Sequence, residues 1–244
     1  MPDHVHVLIH DETVRTDTDR FLKAQRLKGF LTRLTGDVWH PASPPTAIPK
    51  IQHLKRQVRY VHLNPCRESY CRDPIEWEWS THRDYLGATA QPWPDVDKAL
   101  RKLGFGPGPA ALSGFHQYIS SDPSVAVGGT AIPQSVLSKP SPGYLADLKT
   151  GEIAAALALR SPSRSFSAKG AARTLVMGTL SRRFQIKKTT VAQHFGISRS
   201  ALSKAATNHQ QEMSLAAAIT ILLSDGRFLH THTATQKAST VYGG

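Results

Sequence analysis

A single glycine separates two short apolar repeats near the C-terminal end of this 244-residue chain, and it narrows what that region can fold into. Before it, Val191 and Phe195 recur at helical spacing; after it come Ile197, Leu202 and Ala205. Gly196 stands where a sharp reversal needs positive φ, which glycine adopts without steric cost. Ala192 is small enough for two helices to approach closely, and Ser198 is suited to cap the second one. The pattern predicts helix, tight turn, helix. The preceding stretch, 171–184, carries Leu175, Val176, Leu180 and Phe184 and reads as a supporting helix. Residues 215–223 are nearly all apolar. That is far short of the roughly 20 residues needed to cross a bilayer, so they read as a core helix. Residues 151–229 are therefore expected to form an all-α domain.

Charge gives this domain a partner class. The chain has 30 Lys and Arg against 18 Asp and Glu, a formal charge of +12. The balance is uneven: residues 1–90 hold 13 basic and 11 acidic side chains, whereas 151–244 hold 12 and three. Between Arg160 and Lys204 there are ten basic residues and no acidic one. Soluble domains usually mix their signs, so such a stretch predicts contact with a polyanion. The apolar pattern of 188–205 resembles a helix-turn-helix, although an ordinary αα-hairpin fits it too. In the first case Ser198, Arg199, Ser200, Ser203 and Lys204 would face a major groove. Arg173, Arg182, Arg183, Lys187 and Lys188 would be available to phosphates.

The N-terminal end is organised differently. Residues 4–9 alternate, with Val5, Val7 and Ile9 on one side and His4 and His6 on the other. As a strand, side chains two apart share a face, so the imidazoles would project together and could share a divalent ion. The spacing alone is weak. His230 and His232 repeat it in a polar tail with no apolar partner face, where it reads as solvated. Residues 51–63 read as a helix, from Ile51, Leu54, Val58 and Val61. Tyr60 and Asn64 lie four apart on it and share a face. Pro65 disfavours helical backbone at Asn64, so the helix is expected to end or kink there, with Tyr60 in its last turn.

Two segments here carry a resemblance. Met1-Pro-Asp-His-Val-His-Val-Leu-Ile9 is similar to the HUH signature of the single-tyrosine transposases. Arg59-Tyr-Val-His-Leu-Asn-Pro-Cys-Arg67, with Asp73-Pro-Ile-Glu-Trp-Glu-Trp-Ser-Thr-His-Arg-Asp-Tyr-Leu-Gly87, resembles a second signature, that of the REP-associated tyrosine transposases. The resemblance covers roughly residues 1–87. It implies a ferredoxin-like HUH nuclease domain, truncated at its N-terminus because family members carry further elements before the histidine strand. The whole chain would then be an α+β protein ending in an all-α helix-turn-helix domain, as in some members of that branch. It further implies that His4, His6 and Asn64 bind Mg²⁺ or Mn²⁺ and that Tyr60 is the nucleophile. Such a protein cleaves and rejoins single-stranded DNA near a small hairpin through a 5′-phosphotyrosine, which preserves the phosphodiester energy for rejoining.

The alternatives are a non-catalytic helix-turn-helix DNA-binding regulator and, third, a metal-dependent phosphoesterase acting on RNA. Residues 88–150 hold eight of the 16 prolines and read as a Pro/Gly-rich connector, with short amphipathic pieces at 96–103 and 112–119. Gly128-Gly-Thr130 lacks the lysine of a phosphate loop and reads as a turn. Residues 230–244 read as a disordered tail. Cys66 and Cys71 are the only cysteines. With no secretory signal and no long apolar run, they predict reduced thiols and a cytoplasmic, nucleoid-associated protein with no membrane contact. Trp77 and Trp79 read as buried at the edge of the N-terminal domain, with base stacking as the other use.

Overall fold

A computed structural model describes residues 4–10, 16, 19, 21–22, 25–29, 32, 40, 46–90, 92–127, 148–158, 168–211 and 213–230. The described residues are helical and contain no strand, which overturns the expected α+β fold and its ferredoxin-like domain. The decisive segment is 4–10, which has no regular structure. Val5, Val7 and Ile9 are 48%, 39% and 58% exposed. Alternation makes a strand only where a neighbour supplies hydrogen bonds and a core covers one face. No described residue pairs with this segment as a strand, and its apolar face is left open.

By contacts the chain forms two units, residues 5–58 and residues 1–4 with 59–244. In the first, the described positions 19, 21–22, 25–29 and 32 are helical. Thr16 heads this segment: its backbone N–H and its hydroxyl both donate to Asp19 Oδ2, at 3.0 and 2.8 Å.

Helix α1 (Ile51–Arg67) carries Tyr60 and Asn64 and continues through Pro65. Tyr60 therefore sits nearly two turns before its end, not in the last turn. Pro65 contributes no N–H to the ladder, but Leu63, Asn64 and Cys66 are buried around it, and this packing outweighs the local preference. The helix closes at Ser69, in the left-handed region at φ 58°. Tyr70 N–H donates to Pro65 O at 2.8 Å, and Ser69 N–H to Cys66 O at 3.0 Å, the paired bonds that satisfy a helix's last carbonyls.

Four short elements follow: a 3₁₀ turn (Pro74–Glu76), α2 (His82–Tyr85), α3 (Val96–Lys102) and α4 (Pro109–Ser120). The proline-rich stretch is thus built around two helices where it is described, and Leu100, Leu103, Phe115 and Ile119 are buried. Gly128–Thr130 and residues 231–244 lie outside the described residues. Trp77 is buried as expected, whereas Trp79 is 63% exposed.

The C-terminal part comprises α5 (Leu148–Ala158), α6 (Ala168–Arg182), α7 (Lys188–Phe195), α8 (Arg199–Gln211), α9 (Met213–Ser224) and a 3₁₀ turn (Gly226–Leu229). Helix α6 is the centre, with α5, α7, α8 and α9 all packed on it. Its inward residues Leu175, Val176, Leu180 and the following Phe184 join Val191, Phe195, Leu202, Ile219 and Phe228 in one core. Ile75, Leu86 and Ala88 belong to the same core, so the segment after α1 is packed together with the C-terminal helices. Among the described residues no helix is long and apolar enough to cross a membrane.

Candidate nucleic-acid interface

Helices α7 and α8 are joined by a turn whose every residue has a local reason. Gly196 adopts φ 63°. Its N–H donates to Gln193 O at 3.2 Å, and Ile197 N–H donates to Ala192 O at 2.9 Å, which closes α7. Ser198 Oγ then accepts the N–H of Ala201 at 3.2 Å and starts α8. Ser198 and Ser200 hydroxyls lie 2.9 Å apart. Val191, Ala192, Phe195, Leu202 and Ala205 are buried and Ile197 packs against them, so the two helices share one apolar seam.

The opposite face is polar and basic. Ser198, Arg199, Ser200 and Lys204 are exposed, and Ser203 is half-buried. Lys188 Nζ donates to Ser203 Oγ at 3.5 Å, which brings the start of α7 beside the exposed side of α8. Arg182, Arg183 and Lys187, at the end of α6 and just before α7, are exposed as well.

Arg173 differs from these in being tied into the fold as well. Its Nη2 donates to Phe195 O, the last carbonyl of α7, at 2.6 Å. Its Nε lies 3.9 Å from Glu152 Oε1, and its guanidinium lies 5.5 Å from the Phe195 ring centroid. A cation at a helix C-terminus meets unsatisfied carbonyls and the negative end of the dipole, so this side chain is held in the fold.

The residues of the transposase resemblance are arranged less favourably. Tyr60 is 38% exposed on α1, with the Arg67 guanidinium 5.4 Å from its ring centroid. Asn64, one turn on, is buried at 4%. His4 and His6 are exposed on a segment without regular structure. Among the described residues no three His, Cys, Asp or Glu side chains converge as a metal site. Mg²⁺ and Mn²⁺ favour oxygen donors in fixed geometry. Two imidazoles on irregular backbone and one buried amide do not fit a preformed site of that kind.

Three internal clusters have no signature in the sequence. His62, His82 and His116 form a buried chain: His62 Nδ1 and His82 Nδ1 are 3.0 Å apart, and His82 Nε2 and His116 Nδ1 are 3.0 Å apart. Each link needs one donor and one acceptor, so the three tautomers are set together. Burial pushes His62 down to about 4, and burial with the neighbouring His62, His116, Arg83 and Arg227 holds His82 well below the usual histidine value. Tyr85, whose ring stacks on Phe115, is pushed up to about 12 by burial and by Asp84. The second cluster joins Asp73, Asp225 and Arg227; the third is the contact between Cys66 and Cys71. Nothing in the local sequence announces them, because their partners lie in separate elements or across a turn. No protein-family profile, curated protein or solved structure matches this chain.

Proposed function

We propose that this protein binds DNA through the helix-turn-helix formed by α7 and α8. The observation that carries this reading is the Ser198-capped start of α8, which exposes Arg199, Ser200 and Lys204 within a stretch free of acidic residues. In this reading Arg182, Arg183, Lys187 and Lys188 contact phosphates and fix the register, while Arg199, Ser200, Ser203 and Lys204 meet base edges in the major groove. Selection of bound duplexes from a random pool, followed by fluorescence anisotropy across a salt series, tests it. Four phosphate contacts would give a slope of log affinity on log salt of roughly −3.6. A salt-independent affinity, or none at all, would sink the reading.

A second reading keeps the transposase activity, because Tyr60 presents its ring at the surface of a regular helix. In it Tyr60 Oη attacks a phosphorus of single-stranded DNA next to a hairpin, the 3′-oxygen leaves, and a 5′-phosphotyrosine remains. Incubation with a hairpin oligonucleotide and Mn²⁺ should then yield a covalent adduct that Tyr60→Phe abolishes. No adduct from the wild-type chain leaves the DNA-binding regulator alone.

A further inference from the structure

Cys66 and Cys71 meet at the end of α1. Their sulfurs are 3.5 Å apart, close enough for an S–H···S hydrogen bond. Both are about nine-tenths buried in a small cluster with Trp77, against which Tyr70 and Val125 pack. The loop joining them is not part of that cluster: Arg67, Glu68 and Ser69 are exposed, and Ser69 holds the left-handed backbone that turns the chain back. The thiols line a cleft of about 930 Å³, together with Arg67, Tyr70, Arg72 and Glu76.

We propose that Cys66 and Cys71 are the site of a reversible intramolecular disulfide, formed by exchange with a low-molecular-weight disulfide that enters this cleft. The sulfurs need to approach from contact to about 2.0 Å, a movement that side-chain rotation and the exposed loop can supply. The charges at the cleft are balanced: Arg67 pairs with Asp122 at 3.0 Å, and Arg72 stands beside Glu76. The two thiols share a hydrogen bond in which either sulfur can donate, so either can open the exchange. In one order Cys66 gives up its proton and attacks one sulfur of the incoming disulfide. That S–S bond breaks and one thiolate leaves, giving a mixed disulfide on Cys66. Cys71 then gives up its proton, attacks Cys66 Sγ, and expels the second thiolate. Two protein thiols are oxidised by two electrons; one small disulfide is reduced to two thiols, which take up the two protons. The product ties the last turn of α1 to the segment that leads to Asp73.

The test is exchange of the full native chain with oxidised glutathione, quenched by N-ethylmaleimide and read by intact mass. The wild type should lose two hydrogens, resist alkylation at both thiols and retain no glutathione. Cys71→Ser should accumulate one glutathione on Cys66, and Cys66→Ser one on Cys71. Full alkylation of both thiols in the wild type after exchange overturns the proposal, as does a disulfide found only between two chains. Absence of trapped glutathione on both serine variants overturns the exchange route. The wild-type reading needs no variant, so it stands even if either serine variant fails to fold.

Discussion

Arg227 Nη1 donates to Asp73 Oδ2 at 2.8 Å, across 154 residues of sequence. The Asp73 side chain is fully buried, and its other oxygen accepts the N–H of Ile75 at 2.9 Å. Asp225 holds the same guanidinium from the far side at 2.6 Å. Arg83 adds a parallel link, donating from Nε to Ile75 O at 2.8 Å and from Nη2 to His230 O at 3.1 Å. Two residues of the transposase-like signature, Asp73 and Arg83, thus bind the segment after α1 to the C-terminal turn. Removing one partner of a buried pair leaves an uncompensated charge, at a cost of about 3–5 kcal/mol. Arg227→Met should therefore lower unfolding stability by about that amount in urea titration, and adding Asp73→Asn should restore part of it. A double variant no more stable than the single one would show that the pair is not coupled.

The histidine chain predicts sensitivity to acid. His62 takes a proton at about 4 in the folded protein and at 6.5 when unfolded. Between those values the unfolded chain binds more protons, so stability rises with pH there. The contribution is complete above pH 6.5 and is lost as pH falls toward 4. By itself His62 accounts for roughly 3 kcal/mol over that window. His82, held low by the same burial, acts in the same direction. Urea midpoints measured from pH 7.5 to 4.5 should fall steeply, and His62→Gln, which does not titrate, should flatten the profile. An unchanged slope in the variant would remove His62 from the cause.

Gly196 isolates a pure backbone effect. A Cβ placed there meets nothing within 4 Å, yet φ is 63°. Gly196→Ala should cost about 1–2 kcal/mol through the left-handed conformation alone. Asn tolerates that region better, so Gly196→Asn should cost less. Thermal melts of the three proteins decide it; equal loss in Ala and Asn would point to side-chain crowding instead.

The contrast between the two ends explains what the sequence could reveal. Every determinant of the α7–α8 turn lies within a few residues: the glycine that turns, the serine that caps, the apolar positions that face one another. Each acts locally, so the pattern alone describes the motif. The alternation at Val5, Val7 and Ile9 depends on a partner strand, which those residues do not contain. Asn64 shares a helical face with Tyr60, but exposure depends on what packs around each, and one is buried while the other is at the surface. Arg173 looks like any basic residue near a DNA-binding motif. Its partner, the Phe195 carbonyl, becomes visible only when α6 and α7 are packed together. The same holds for Asp73, whose partner Arg227 comes from the other end of the unit.

Arg173 and Arg199 provide a paired test of the interface, because the two arginines should fail in opposite ways. Arg173→Ala removes a charge-assisted hydrogen bond to the end of α7 and a contact with Phe195, so it should lower stability by about 1–3 kcal/mol. Affinity for the selected duplex should change little at temperatures where the variant stays folded. Arg199→Ala touches no described packing, and stability should stay within about 0.5 kcal/mol of wild type. If Arg199 pairs with a base edge, its loss should weaken specific binding by about 1–3 kcal/mol and relax sequence preference at that position. Melting curves and anisotropy titrations on the same preparations separate the effects. A stable Arg173→Ala protein with weakened affinity would place Arg173 at the DNA, and a full-affinity Arg199→Ala protein would move the contact surface away from the start of α8.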